Sequence, residues 1–415
     1  LHFTLKISSD LPPQAALDAQ RLRQCLSNLL SNALKFTEHG HIHLNVKPWQ
    51  GNDLLFSVRD TGMGMSPNQC SALFQPFSQV DDSSSRRYGG AGLGISAACA
   101  VLEEIHRSGA NGAACHAQMY TMASILRHGS EAQKRKTLPR IADGSLRLQA
   151  FGVTEPDAGS NTLRIQTFAR KVAGGYVING QKIWTSRYSH SHMYLLIART
   201  TPFEDLAKKT DGLSLFLVDI AKAGSSLKAK PIRTMINHHT FEVFIDKLEV
   251  SDDDRIGEEG KGFYYLLDSL HSERLLVASE AIGDGKWFVD KASRYAGERV
   301  VFDRPIGANQ GVQFPIARAH MNIEAAELMR NKAVTLFDAG LPCGREATMV
   351  KYLASEAAWE AAEAALSTFG GYGMACEFDI ERKWKEARLF RTAPISNNLV
   401  LAQVAEHLLG MPRSY

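Results

Sequence analysis

The chain has 415 residues, 44% of them hydrophobic and 22% charged, the composition of an ordinary globular protein long enough for several domains. Its 47 basic and 44 acidic residues leave a net charge of +3 spread along the chain, which gives no footprint for nucleic acid or a membrane surface. The six cysteines are scattered without metal-like spacing and fit reduced thiols in a cytoplasmic protein, no apolar run reaches a membrane span, and Leu1 opens inside strand-like sequence.

Leu1–Ile7 alternates as a half-buried strand does, and a turn over Asp10–Pro13 leads to a helix over Asp18–Phe36. Leu22, Leu26, Leu29, Leu30, Ala33 and Leu34 make its apolar face. Asn28, Asn32 and Lys35 share the same spacing, which suits either a metal–polyphosphate site or a solvated polar face. Two strand-like runs, His41–Val46 and Leu54–Arg59, end in Asp60-Thr61-Gly62-Met63-Gly64, where the carboxylate can either accept from an adenine amino group or serve a turn. Leu73-Phe74-Gln75-Pro76-Phe77 precedes a polar loop and the glycine-rich Tyr88–Ser96. A dinucleotide fingerprint needs a buried strand before its glycines, and here Asp81–Arg87 is polar, so that reading is excluded.

From Ala97 the periodicity is helical. Ala100, Val101 and Ile105 form one stripe; Met119, Met122, Ile125 and Leu126 form another, ending at His128-Gly129; Ser130 is placed to cap a third helix over Glu131–Ala142. Short β segments follow at 148–153, 168–172, 176–178, 194–198, 213–218 and 241–245, with Ala173-Gly174-Gly175 and Asn179-Gly180 as hairpin punctuation. Long helical patterns return from Gly260 to Leu409, broken at Asp303–Gly307 and Phe369–Gly373.

In order and spacing, Asn28…Asn32…Lys35, Asp60-Thr-Gly-Met-Gly, Leu73-Phe-Gln-Pro-Phe and the glycines of Tyr88–Gly94 resemble the four boxes of the histidine kinase ATP-binding domain. That resemblance implies Mg-ATP as a ligand. Asn32 would hold the magnesium, Asn28 and Lys35 would face phosphates, Asp60 with Gly62 and Gly64 would take adenine, and Gly90, Gly92 and Gly94 would close the lid.

Phe151–Asn161 and Asn179–Ser186 resemble the two signature stretches of the acyl-CoA dehydrogenases, and the likeness runs from Tyr88 to Tyr415. It implies FAD, an acyl-CoA substrate, an electron-transfer flavoprotein as acceptor, and a homodimer or homotetramer. On the same likeness Val153, Thr154, Trp184 and Ser186 hold the flavin ring, and Ser160 touches ligand at the pocket mouth. Arg299, Phe302, Gln310, Gly370 and Gly371 match residues that reach a neighbouring subunit's FAD. Taken alone, Trp184 is equally a core aromatic in a strand.

The family's loop carboxylate is replaced by Pro394, so the base falls to Glu273 in Ser272-Glu-Arg-Leu, as in isovaleryl-CoA dehydrogenase-like members. The other reading of Glu273 is a surface pair with Arg274, and Arg274 itself resembles a CoA contact. The chain is therefore expected to be multidomain α+β. A truncated α/β ATPase-like sandwich over 1–95 leads to a helical remnant over 96–146, a middle β-barrel domain over 147–256, and a helical bundle resembling a four-helix bundle over 257–415. The resemblances imply a chimera joined at the shared glycine motif, with impaired turnover where flanking elements are missing; the alternatives are an ATP-binding signalling module and an inactive chimera.

Overall fold

A computed structural model describes residues 1–12, 22, 26, 29–30, 33–34, 37, 39–48, 54–62, 94–236 and 239–414. The chain divides into two compact units, Leu1–Gly94 and Ile95–Tyr415.

In the first unit β1 (His2–Ile7), β2 (His41–Pro48) and β3 (Leu54–Asp60) form a sheet in that order, β1 parallel to β2 and β3 antiparallel to it. Ile42 and Leu44 of β2 are buried while His41 and His43 between them are exposed, the period-two alternation of a one-faced sheet. The alternation of β1 predicts the same, yet all six of its residues are exposed. It is an edge strand of the sheet. Leu22, Leu26, Leu29, Leu30, Ala33 and Leu34 are helical, but Ala33 is buried and Leu29 and Leu34 are exposed, so the covering face is narrower than the apolar stripe.

The second unit opens with α1 (Ile95–Arg107), α2 (Ala113–His128) and α3 (Glu131–Ala142). Ser130 starts α3 with a reciprocal capping box: Ser130 Oγ accepts from Gln133 N (3.1 Å), and Gln133 Oε1 accepts from Ser130 N (2.9 Å). The buried face of α1 is Cys99, Leu102 and His106 rather than the expected Ala100, Val101 and Ile105 stripe, and Val101 is exposed. A buried histidine disguises that face.

The β layer contains β4 (Ala150–Gly152), β5 (Phe168–Val172), β6 (Gly175–Ser186), β7 (Met193–Arg199), β8 (Leu213–Asp219), β9 (Leu227–Ile232), β10 (Thr240–Ser251) and β11 (Arg255–Ile256). They form one sheet in the order β11-β8-β7-β5-β6-β10-β9, with β4 on β7. The β5–β6 hairpin turns at Ala173-Gly174, with Val172 paired to Gly175 and Gly174 at φ 75°. Asn179-Gly180 is not a turn: β6 runs straight through it. A Cβ on Gly180 would stand 2.7 Å from Thr167 Cα, so the glycine permits a close strand approach instead.

The chain closes with α4 (Gly262–Glu298), a two-residue hairpin of β12 (Val300–Val301) and β13 (Arg304–Pro305), then α5 (Gln310–Asp338), α6 (Gly344–Phe369), α7 (Ile380–Phe390) and α8 (Asn397–His407). Small residues bring these helices close: Ala357, Ala358, Ala361, Ala362 and Ala365 are buried on α6, and a Cβ on Gly283 of α4 would lie 2.3 Å from Glu103 O of α1. Lys286 bridges Glu103 (2.6 Å) and Glu327 (2.7 Å), and Arg330 binds Glu103 (2.7 Å), which ties α1, α4 and α5 by charge. Among the described residues no helix is long and apolar enough to cross a membrane, no cluster of His, Cys, Asp or Glu is placed to hold a metal, and Cys99, Cys115, Cys343 and Cys376 are free thiols.

Candidate active site

The loop after β4 is fixed to β6 by a buried ion pair. Lys182 Nζ donates to Glu155 Oε1 (2.8 Å) and to Val153 O (3.0 Å), and Glu155 also accepts from the backbone of Gln166 (2.5 Å) and Thr167 (2.9 Å). Burial drives the Lys182 ammonium down to about 8 against the pull of Glu155. Ile183 N donates to Thr154 O (2.9 Å), so Val153 and Thr154 lie beside the end of β6. There Trp184 has φ 61° and is 55% exposed, which rules out a core aromatic. A bulky residue held in the left-handed region and bared to solvent is locally strained. Ser186 is half-buried, 3.4 Å from Thr240 Oγ1, and Ser160 is exposed farther along the loop.

Glu273 sits on α4 opposite α2. Burial raises its carboxyl to about 7, opposed by His116 and Arg274 and reinforced by Glu280. Tyr120 of α2 is pushed up by burial and by the Glu273 and Glu280 charges. Its ring lies 5.7 Å from Phe151, which links the carboxylate to the Val153–Thr154 loop. The surface pair with Arg274 does not form. Arg274 is buried, its Nη1 donates to Thr348 Oγ1 (2.7 Å), and its Nε is buried without a partner.

A second cluster surrounds the β12–β13 hairpin. Phe302 and Asp303 occupy its turn at φ 53° and 62°, and Phe302 is 94% exposed. Such a turn favours Asn or Gly, so an exposed phenylalanine there is costly locally. Arg299 and Gly371 line a cleft of about 590 Å³ with Tyr295, Phe369 and Tyr372. Gly370 has φ 58°, both glycines open to empty space, and Gln310 begins α5 exposed.

In the first unit Asp60 Oδ1 accepts from Gly62 N (2.8 Å) and Thr37 Oγ1 (3.3 Å); Gly94 immediately precedes α1. Asn28, Asn32, Lys35, Gly64, Gly90 and Gly92 lie outside the described residues.

His106, His116, Tyr120 and Glu280 are what sequence reasoning missed. One signal was available: Glu280 stands seven residues, two helical turns, beyond Glu273 and therefore on its face.

Comparison with known proteins bears on both units. The models for the acyl-CoA dehydrogenase middle and C-terminal domains match residues 150–248 and 260–409, and that for the histidine kinase-, DNA gyrase B- and HSP90-like ATPase matches 17–131. An acyl-CoA dehydrogenase of Mycobacterium tuberculosis is 37% identical over 79% of this chain and 84% of its own length. A chain in a structure of the electron transferring flavoprotein of Acidaminococcus fermentans superposes with a TM-score of 0.72 at 30% identity, covering 78% of this chain and 84% of that one. Butyryl-CoA dehydrogenase from Megasphaera elsdenii gives 0.71 at 28%, covering 77% and 83%.

Proposed function

Since the chain belongs to the acyl-CoA dehydrogenase family, an acyl-CoA dehydrogenase-like oxidoreductase joined to an ATPase-like N-terminal region, we propose that Glu273 is the base that removes the α-proton of an acyl-CoA thioester. The observation that carries this is its environment. An exposed glutamate, ionising at about 4.3, is a weak base for a carbon acid, whereas Glu273 is raised to about 7 and stays ionised in mildly alkaline solution.

The donor set suits FAD. Trp184, exposed beside Val153 and Thr154, offers a flat face, and Ser186 a hydroxyl. Arg299 offers a guanidinium for a pyrophosphate, with Gly370 and Gly371 leaving the backbone open beside it; Phe302 and Gln310, both exposed, are assigned to a neighbouring copy's FAD. When bound, FAD supplies the hydride acceptor. Ser160 and the unpartnered Arg274 Nε are assigned to the acyl-CoA. An electron-transfer flavoprotein as electron acceptor and a homodimer or homotetramer complete the reading, in the segments 96–146, 147–256 and 257–415.

Glu273→Gln should leave the yellow colour and abolish flavin bleaching by acyl-CoA; undiminished bleaching would remove Glu273 from the role. The family match over 17–131 supports a second reading, Mg-ATP binding by segment 1–95. A fluorescent ATP analogue titrated with magnesium should bind Asp60→Ala more weakly; equal binding by both proteins would exclude Asp60 as an adenine contact.

A further inference from the structure

The interface of α1, α2 and α4 buries more titratable groups than proton abstraction needs. Glu273 and Glu280 share a face of α4, and His116 of α2 is set against it, its Nδ1 3.0 Å from Glu280 Oε2. His116 is 8% exposed, and its Nε2 is buried without a partner. A ring whose Nδ1–H donates to a carboxylate while its Nε2 meets no partner has one neighbour satisfied and one face in reserve. Tyr120 packs edge-on against the ring at 5.3 Å and fixes its tilt.

The groups around this pair determine its charge. Burial opposes the ionised form of Glu280, but His116 holds its carboxyl well below the usual range. Burial likewise opposes the His116 cation, and Glu280 with Glu273 raises it above the ordinary imidazole value. His106, on α1, accepts from Gly112 N at Nε2 (2.9 Å), which places its own proton on Nδ1, 2.8 Å from Asp284 Oδ1. Asp284 also meets Lys383 of α7, which is 3.3 Å from Glu386. His106 Nε2 is also 3.5 Å from Glu280 Oε1, but with its lone pair engaged by Gly112 N it has no proton to offer there, which leaves His116 as the cation for Glu280. Around Glu273 the remaining charge is Arg274, with Lys351 of α6 beyond it.

We propose that His116, anchored by Glu280, is a positioning residue whose charge keeps Glu273 in its carboxylate form at the pH where the enzyme works. The inference rests on Glu273 being the base. Glu273 must be ionised to take the α-proton, so the rate of flavin reduction falls as pH drops through its pKa. Removing a neighbouring cation raises that pKa, and the acid limb moves to higher pH.

The test is rapid mixing of the FAD-loaded protein with butyryl-CoA and isovaleryl-CoA, following flavin bleaching from about pH 5.5 to 9.5. His116→Gln, near in shape and uncharged, should shift the acid limb up by about one unit, which is about tenfold slower bleaching near pH 6 with the alkaline plateau kept. Glu273→Gln should be inactive at every pH. If Glu273→Gln bleaches like the parent, the assignment of the base fails. If it is inactive while the His116→Gln profile overlays the parent's, the inference about His116 alone is overturned. Should His116→Gln not retain flavin, the smaller uncharged His116→Asn decides: an upward shift of its acid limb supports the inference, and an unmoved limb overturns it.

Discussion

Lys182 has no solvent contact, and its ammonium is met by the Glu155 carboxylate and one carbonyl. Lys182→Met leaves Glu155 ionised and buried on two backbone donors, and should cost about 3–5 kcal/mol in a denaturant titration. Replacing both partners with apolar residues should recover most of that, since the desolvated charge goes with them. Both residues stand in the signature stretches, so their importance was legible in the sequence while their partnership was not. Glu273 was legible through an absence: Pro394 removes the loop carboxylate and directs attention to α4. His116 was not, because a histidine in a helix reads as a polar face until the helix opposite supplies a carboxylate to it.

The helices show the same division. The extents of α2 and α3 follow from apolar periodicity and from Gly129 and Ser130, and the capping box forms as its residues suggest; Ser130→Ala should lower thermal stability by about 1 kcal/mol. The face each helix buries was harder to read. The inner side of α2 is His116, Ala117, Thr121, Ser124 and Ile125, with the hydroxyls satisfied by Leu148 O and Ser269 Oγ, so polarity did not mean exposure. The α1–α4 crossing depends on Gly283, and Gly283→Ala should push α1 outward at a cost of about 1–3 kcal/mol, measurable by thermal unfolding with flavin retained. That crossing is also pH-sensitive. Against burial, Arg330 and Lys286 hold the Glu103 carboxyl below its ordinary value. The stability it contributes is present above the pKa of an unfolded glutamate and lost as pH falls through the folded one. Glu103→Gln should therefore flatten the acid side of the stability curve below about pH 4.5.

Over the whole second unit, the exposed apolar residues have a pattern. Phe314, Met321 and Leu328 on α5 are seven residues apart and all exposed, a stripe that a soluble protein ordinarily covers. Leu328→Asp should shift the light-scattering mass toward the monomer if a second copy covers it, as proposed; an unchanged mass would show that α5 faces solvent. The β12–β13 hairpin adds a thermodynamic consequence. If Phe302 and Arg299 reach the neighbour's FAD, as proposed, each flavin would be a ligand of the assembled pair rather than of one chain. Cofactor retention would then obey mass action in protein concentration. Dilution should release fluorescent flavin in step with dissociation, and Phe302→Ala should move both transitions to higher concentration. The strained turn of one chain would set the holding power of the next.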